Sequence, residues 1–253
     1  MATRADLERL DKALDRAADM AARDFDAFAA RLDLAALDPA VARDALGEVM
    51  DRLLTRYGDI SAASAADWYD ALRDVSAAGD GFTAVLADGL SPEQVERTTR
   101  WAARGLFDGD PEDTLDKLRN HLARSIVAQG KRTVEMSAAA DPARPRWARV
   151  PAPGGCCAWC SMLASRGFVY ATKATAGGEG HSYHHDCHCV PTPLWKGQKP
   201  RIDGYDPKGL RTTYDEARAA VKASGATVDD KAIAAEMRRI APESFTDGIK
   251  PAE

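Results

Sequence analysis

The chain has 253 residues, of which 45% are apolar and 7% aromatic, and its formal net charge is −5. That length suits one large domain or two ordinary ones, with enough apolar material for a real core. Scarce aromatics and abundant Ala favour packed helices over sheet, and the absence of a Lys/Arg block argues against a dedicated nonspecific nucleic-acid binder, which needs a basic field to release counterions. The opening MATRADLERLDKALDRA is charged from residue 4 and lacks the apolar stretch of a signal peptide. No run of 18 apolar residues offers a membrane span. The expectation is a chain made in a reducing cytoplasm, where clustered cysteines read as metal binding before disulfide.

Leu7, Leu10, Leu14, Ala17, Ala21, Phe25, Phe28 and Leu32 recur at steps of three and four, which predicts a helix across residues 3 to 32. Thr3 and Asp6 cap its start. The stripe suits a core-facing helix, and alternatively one that docks on a partner or self-associates. Asp38-Pro39 opens a second helix with Leu46, Val49, Leu53 and Tyr57 on one face. A third helix is expected from Ala62 to Val75, carrying Trp68 and Leu72. Ser91-Pro92-Glu93-Gln94 is a capping box that starts a helix through Trp101. Asp110-Pro111 starts a long helix reaching Met136, with His121 as a lone surface or core-edge histidine.

At residue 138 the composition changes. AAADPARPRWARVPAPGG ends the helical region, and Arg146–Val150, Phe168–Thr172 and Cys189–Thr192 read as strands, the last with Pro191 at an edge. AGGEGHS is a loop. A second capping box, Thr213 to Glu216, starts a helix to about Ala223, and Thr227 starts a last one through Ile240, ended by Pro242. The fold class is mainly α with a small α+β cysteine/histidine zinc-knuckle module. Three regions follow: a helical region (1–137), a β-containing metal module (138–200) and a helical tail (201–253).

All five cysteines lie between Cys156 and Cys189, with four of the five histidines among them. Cys157-Ala-Trp-Cys160 can turn two thiolates onto one ion, and His184-His-Asp-Cys187-His-Cys189 supplies the other half. Zinc takes four N or S ligands in a tetrahedron. The expected shell is Cys157, Cys160, His184 and one of Cys187 or Cys189, with His181, His185 and His188 in reserve. Cys187 and Cys189 stand two apart, so in a strand both face one side and both can approach the metal. Cys156 reads as a spectator. A free-thiol or disulfide role for the cluster stays open, as does a catalytic metal with Asp186 or Glu179 as the nearby acid.

Other enzyme classes fail on spacing. No HxE precedes the CxxC, as a deaminase needs. The flanking pattern is not the alternating α/β of a thioredoxin-like protein. There is no GxSxG, P-loop or GxGxxG. An HNH-type nuclease, with the HHD run supplying a base, is the enzyme reading that survives.

The strings RWARVPAPGGCCAWCSMLASRGFVY and YHHDCHCVPTP resemble the core of MuF-like minor head proteins of tailed phages, in the version found in phages of actinobacteria. The matching residues are Arg149-Val150-Pro151, Cys157, Cys160, Leu163 to Gly167, Val169-Tyr170, His184, Cys187, Cys189 and Pro191. The strong match covers about 45 residues; Cys156 and the doubled His184-His185 depart from the family pattern. The resemblance implies a non-enzymatic minor capsid or head-morphogenesis protein in the virion, made in the bacterial host. Its implied partners are portal, major capsid or scaffold proteins. The zinc, in this reading, is structural.

Overall fold

The computed structural model describes residues 1–34, 36–77, 81–171 and 187–247. Helix α1 (Arg4–Ala29) starts at the expected box, where Thr3 Oγ1 accepts the Asp6 N–H and the Asp6 carboxylate accepts the Thr3 N–H. Its apolar stripe from Leu7 to Phe25 is buried in the chain's own core. Helix α2 (Pro39–Ala77) is one helix of 39 residues where two were expected. Nothing between Tyr57 and Ala62 breaks it except Gly58, a cost of only about 1 kcal/mol. A Cβ at Gly58 would lie 2.1 Å from Gln129 Oε1, so the Gln129 side chain would have to shift. Helices α3 (Pro92–Ala102) and α4 (Arg104–Phe107) lead into α5 (Pro111–Ala140), which is capped by Asp110 as its sequence predicts.

Helices α1, α2 and α5 pack against one another as the body of the molecule. All three meet closely at Gly130, where a Cβ would lie 2.4 Å from Leu14 Cδ2 and 2.6 Å from Ser61 Oγ. One end of this bundle is filled by Phe25, Leu46, Met50, Leu118, Leu122 and Ile126. Residues 84–88 run extended along α5. There Thr133 Oγ1 accepts the Ala87 N–H (3.1 Å), Gln129 donates to the Ala87 carbonyl (3.1 Å), and Ser137 Oγ accepts the Val85 N–H (2.9 Å). Side chains of the helix thus satisfy backbone groups that would otherwise be buried without partners.

The other end of the bundle is closed by a two-stranded antiparallel sheet, β1 (Arg146–Val150) and β2 (Val190–Leu194), in which Arg149 faces Pro191 and Val150 faces Val190. Leu7, Leu10, Tyr69, Val134, Trp147, Val150, Val190 and Trp195 share one cluster, so a continuous core crosses the compositional border at residue 138. Phe168–Thr172 is not the expected strand. Only Tyr170 bridges to Trp147, and Gly167 (φ 67°) and a turn at Val169 precede it. Tyr170 is instead fixed by its side chain: its ring lies 4.8 Å from that of Trp147 and its hydroxyl donates to the Leu163 carbonyl. Thr172 lies outside the described residues.

Asp141, just past α5, joins the bundle to the sheet. Its buried carboxylate accepts from Tyr69 (2.9 Å), Arg73 (3.0 Å), Trp195 Nε1 (3.0 Å) and the Ala143 N–H (2.8 Å). Burial alone would raise its pKa. The bonds from Arg73, Trp195, Ala143 and Tyr69 outweigh that and hold it below the usual carboxylate value. At the start of α1, Arg4 donates to the carbonyls of Pro151 (2.6 Å) and Asp203 (2.8 and 2.6 Å).

Short helix α6 (Ala158–Ala164) packs on α7 (Pro207–Ala223) and α8 (Asp230–Ile240) around Met162, Ala217, Ile233 and Met237. Helix α7 begins six residues before Thr213. The Asp206-Pro207 pair is the stronger start signal, with Asp206 as cap and Pro at the first helical position. Thr213 instead bonds back to the Gly209 carbonyl inside the helix.

Candidate metal centre

The CxxC folds as a loop running into a helix start. Cys157 has extended backbone (φ −65°, ψ 158°) and is the N-cap of α6, its Sγ accepting the Cys160 N–H at 3.3 Å. A thiolate suits this place, because the first turn of a helix presents unsatisfied N–H groups. One turn on, Cys160 faces inward. The second half comes from the chain entering β2, where Cys187 and Cys189 point to one side, as their two-residue spacing predicts.

The Sγ atoms of Cys160, Cys187 and Cys189 all lie within 4.8 Å of one another. Cys160 and Cys187 are 3.5 Å apart. That is far longer than the ~2.05 Å of a disulfide. It is close to the roughly 3.8 Å edge of a tetrahedron with metal–sulfur bonds of about 2.3 Å. Cys156 and Cys157 complete a buried cluster of five free thiols under Trp159 and Ala128. None of the five is more than 8% exposed. A donor set of clustered, buried, unoxidised sulfurs therefore fits a thiophilic ion such as zinc.

Among the three close sulfurs the local electrostatics favour negative charge on Cys187. Hydrogen bonds from the Cys160 and Cys189 thiols, helped by the nearby Lys131 ammonium, pull Cys187 well below the usual thiol pKa. Cys160 is pushed up by its contacts with Cys157 and Cys187, and Cys189 by those with Cys156 and Cys160. Lys131 is 0% exposed, reaches in from α5 and donates to the Cys187 carbonyl. A buried cation beside a cluster of thiolates offsets their charge.

Both late cysteines thus join Cys160, whereas spacing left the choice between them open. His184 falls outside the described residues, as do His181, His185, Asp186 and Glu179. His188 turns away from the sulfurs, with Nδ1 3.1 Å from Asp11 and 3.6 Å from Asp15 on α1. Cys156 sits within the cluster with its Sγ 3.1 Å from Ser161 Oγ. Lys131 is the participant that sequence reasoning missed. Its signal was a lysine in the apolar register of α5, between Val127 and Val134.

The fold and the thiol cluster define a mainly helical protein with a buried cysteine-rich centre. The family model described as VG15 protein matches residues 1–217, and the chain belongs to that family. It is also 33% identical over 116 residues to the Gene 15 protein of Mycobacterium phage D29. That match spans 44% of this chain and 42% of the phage protein's length. Together they support a bacteriophage gene product. No solved structure matches the chain. Among the described residues, no helix is long and apolar enough to cross a membrane.

Proposed function

We propose that this chain is a MuF-like minor capsid or head-morphogenesis protein of a tailed phage, and that its cysteines hold a structural zinc. The observation that carries the zinc role is burial of the thiol cluster. A catalytic zinc keeps an open position for water or substrate, and these sulfurs are buried, with Trp159 and Ala128 of α5 packed against them. Cys160, Cys187 and Cys189 would hold the ion, with Cys157 or His184 as the fourth ligand. Bound zinc supplies cross-links between segments far apart in sequence, which stabilises a module with little core of its own. Cys157 and Cys160 fix α6, Cys187 and Cys189 fix the entry to β2, and Lys131 ties the assembly to α5.

The head role is supported by membership of a phage protein family and by the motif resemblance. Portal, major capsid or scaffold proteins are the proposed partners. The α1 stripe is already used inside the chain, so self-association would run through outer helix faces. Counting this protein against the portal in purified virions by quantitative mass spectrometry tests the assignment. A few copies per particle are expected; absence from virions and procapsids alike would overturn it. A metal-dependent nuclease assay on the wild type, His185→Ala and Asp186→Ala tests the enzyme alternative, and no turnover is expected from any of them.

A further inference from the structure

At the far end of the bundle from the thiols, α3 and α5 enclose a cleft of about 540 Å³ lined by Arg97, Trp101, Lys117, Asn120, His121 and Arg124. Among the described residues no carboxylate lines it, and Glu93 and Glu96 border the neighbouring groove on the other side of Arg97 and Trp101. Arg97 and Trp101 are one turn apart on α3, and Arg104 continues the row. Lys117, His121 and Arg124 form a matching row on α5. The two rows are set by close packing: Thr114 donates to the Ala102 carbonyl (3.1 Å), and a Cβ at Gly105 would lie 2.5 Å from the Asp110 carbonyl.

Trp101 is 52% exposed at the rim, with the Lys117 ammonium 5.3 Å from its ring centre. Of the nearby acids, Asp113 pairs with Lys117 at the edge of the cleft and Glu96 pairs with Arg100. Arg97 and Arg124 make no ion pair among the described residues. Burial, with help from Arg124, lowers the His121 pKa to about 4, so the ring is neutral. Its Nδ1 lies 3.3 Å from Arg124 Nη2, which can only donate. The proton is therefore on Nε2, a shielded donor with no acceptor among the described residues. The wall of the cleft thus offers the Arg97 and Arg124 cations beside an open indole.

We propose that this cleft binds single-stranded nucleic acid, with a base stacked on Trp101 and backbone phosphates held by Arg97 and Arg124. The indole decides the class of partner. Cations alone would suit any anion, whereas an exposed ring flanked by cations is how proteins take unpaired bases along a charged backbone. Stacking also explains why a local site suffices in a chain with no basic field.

The test is fluorescence anisotropy of a labelled oligothymidylate with the full chain. Binding is expected to weaken with salt with a log–log slope of about −1.4, for two phosphates at roughly 0.7 each. Trp101→Ala should weaken it about 5- to 100-fold, the range of one stacked base. Arg97→Glu combined with Arg124→Glu should abolish it, while Arg211→Glu on α7 leaves it unchanged. These side chains are exposed, and thermal melts matching wild type establish that the variants fold. No binding at low salt overturns the proposal, as does duplex binding equal to the single strand with no effect of Trp101→Ala. Displacement by polyglutamate as effective as by unlabelled strand would assign the cleft to an acidic protein instead. Displacement by equimolar thymidine monophosphate would assign it to a free nucleotide.

Discussion

Trp195 Nε1 and Arg73 Nε donate to the same buried carboxylate oxygen, Asp141 Oδ2, one from the chain leaving β2 and the other from α2. The side chains of Arg73 and Asp141 are 3% and 0% exposed. Removing the acid takes this carboxylate away from a buried guanidinium. Asp141→Ala should therefore cost about 3–5 kcal/mol, measured by urea unfolding. A loss under 1 kcal/mol would mean the network does not couple bundle and sheet.

The same carboxylate makes a pH prediction. Its folded pKa is lowered, so its contribution is complete above the unfolded value near 4 and is lost as pH falls through the folded value. The stability gap between wild type and Asp141→Asn should be constant above about pH 5 and close below about pH 4. A gap that widened in acid would reverse the assigned direction of the shift.

Metal removal should act locally. Cys157→Ser or Cys160→Ser should open residues 146–195 to limited proteolysis while the helical circular dichroism of α1, α2 and α5 largely persists. Cys187→Ser and Cys189→Ser should do the same, and all four should lower bound zinc measured by mass spectrometry. Cys156→Ser should keep it. Free zinc at 1,000 times its dissociation constant contributes about 4 kcal/mol, so excess chelator should lower the melting temperature of the wild type. A module still protected in every cysteine variant would reject the staple.

Gly130 tests the helix packing. Gly130→Ala places a methyl within 3.0 Å of the Ser61 carbonyl as well as against Leu14 and Ser61 Oγ. Backbone cannot swing aside as a flexible side chain can, so the loss should be about 1–3 kcal/mol. Gly109→Ala, where nothing lies within 4 Å, separates crowding from conformational strain because its φ is +78°.

The parts of the fold legible in the sequence were those written locally. The Thr3, Ser91 and Asp110 caps and the stripe from Leu7 to Phe25 need only neighbours three or four residues away, and each is where its pattern predicts. Continuity of α2 through Gly58 was not legible, because it depends on Gln129 filling the space beside that glycine. Phe168–Thr172 has strand composition, yet Tyr170 is held by Trp147 and Leu163, partners that β propensity does not register. At the thiols, CxxC and CxC spacing marked the sulfurs. The buried Lys131 and the turn of His188 towards Asp11 arise from long-range packing. The cleft around Trp101 was invisible for the same reason, since neither helix alone carries a basic block.

Arg4 bonds to carbonyls at residues 151 and 203, and its helix packs against Trp195 and Ile202. The ribosome makes those partners last. Helix α1 therefore emerges before them and waits, its apolar stripe only partly covered, until about residue 203 has left the exit tunnel. Premature termination anywhere before that point should release a polypeptide with this stripe uncovered at the sheet end, a substrate for chaperones and proteases rather than a smaller working version of the protein.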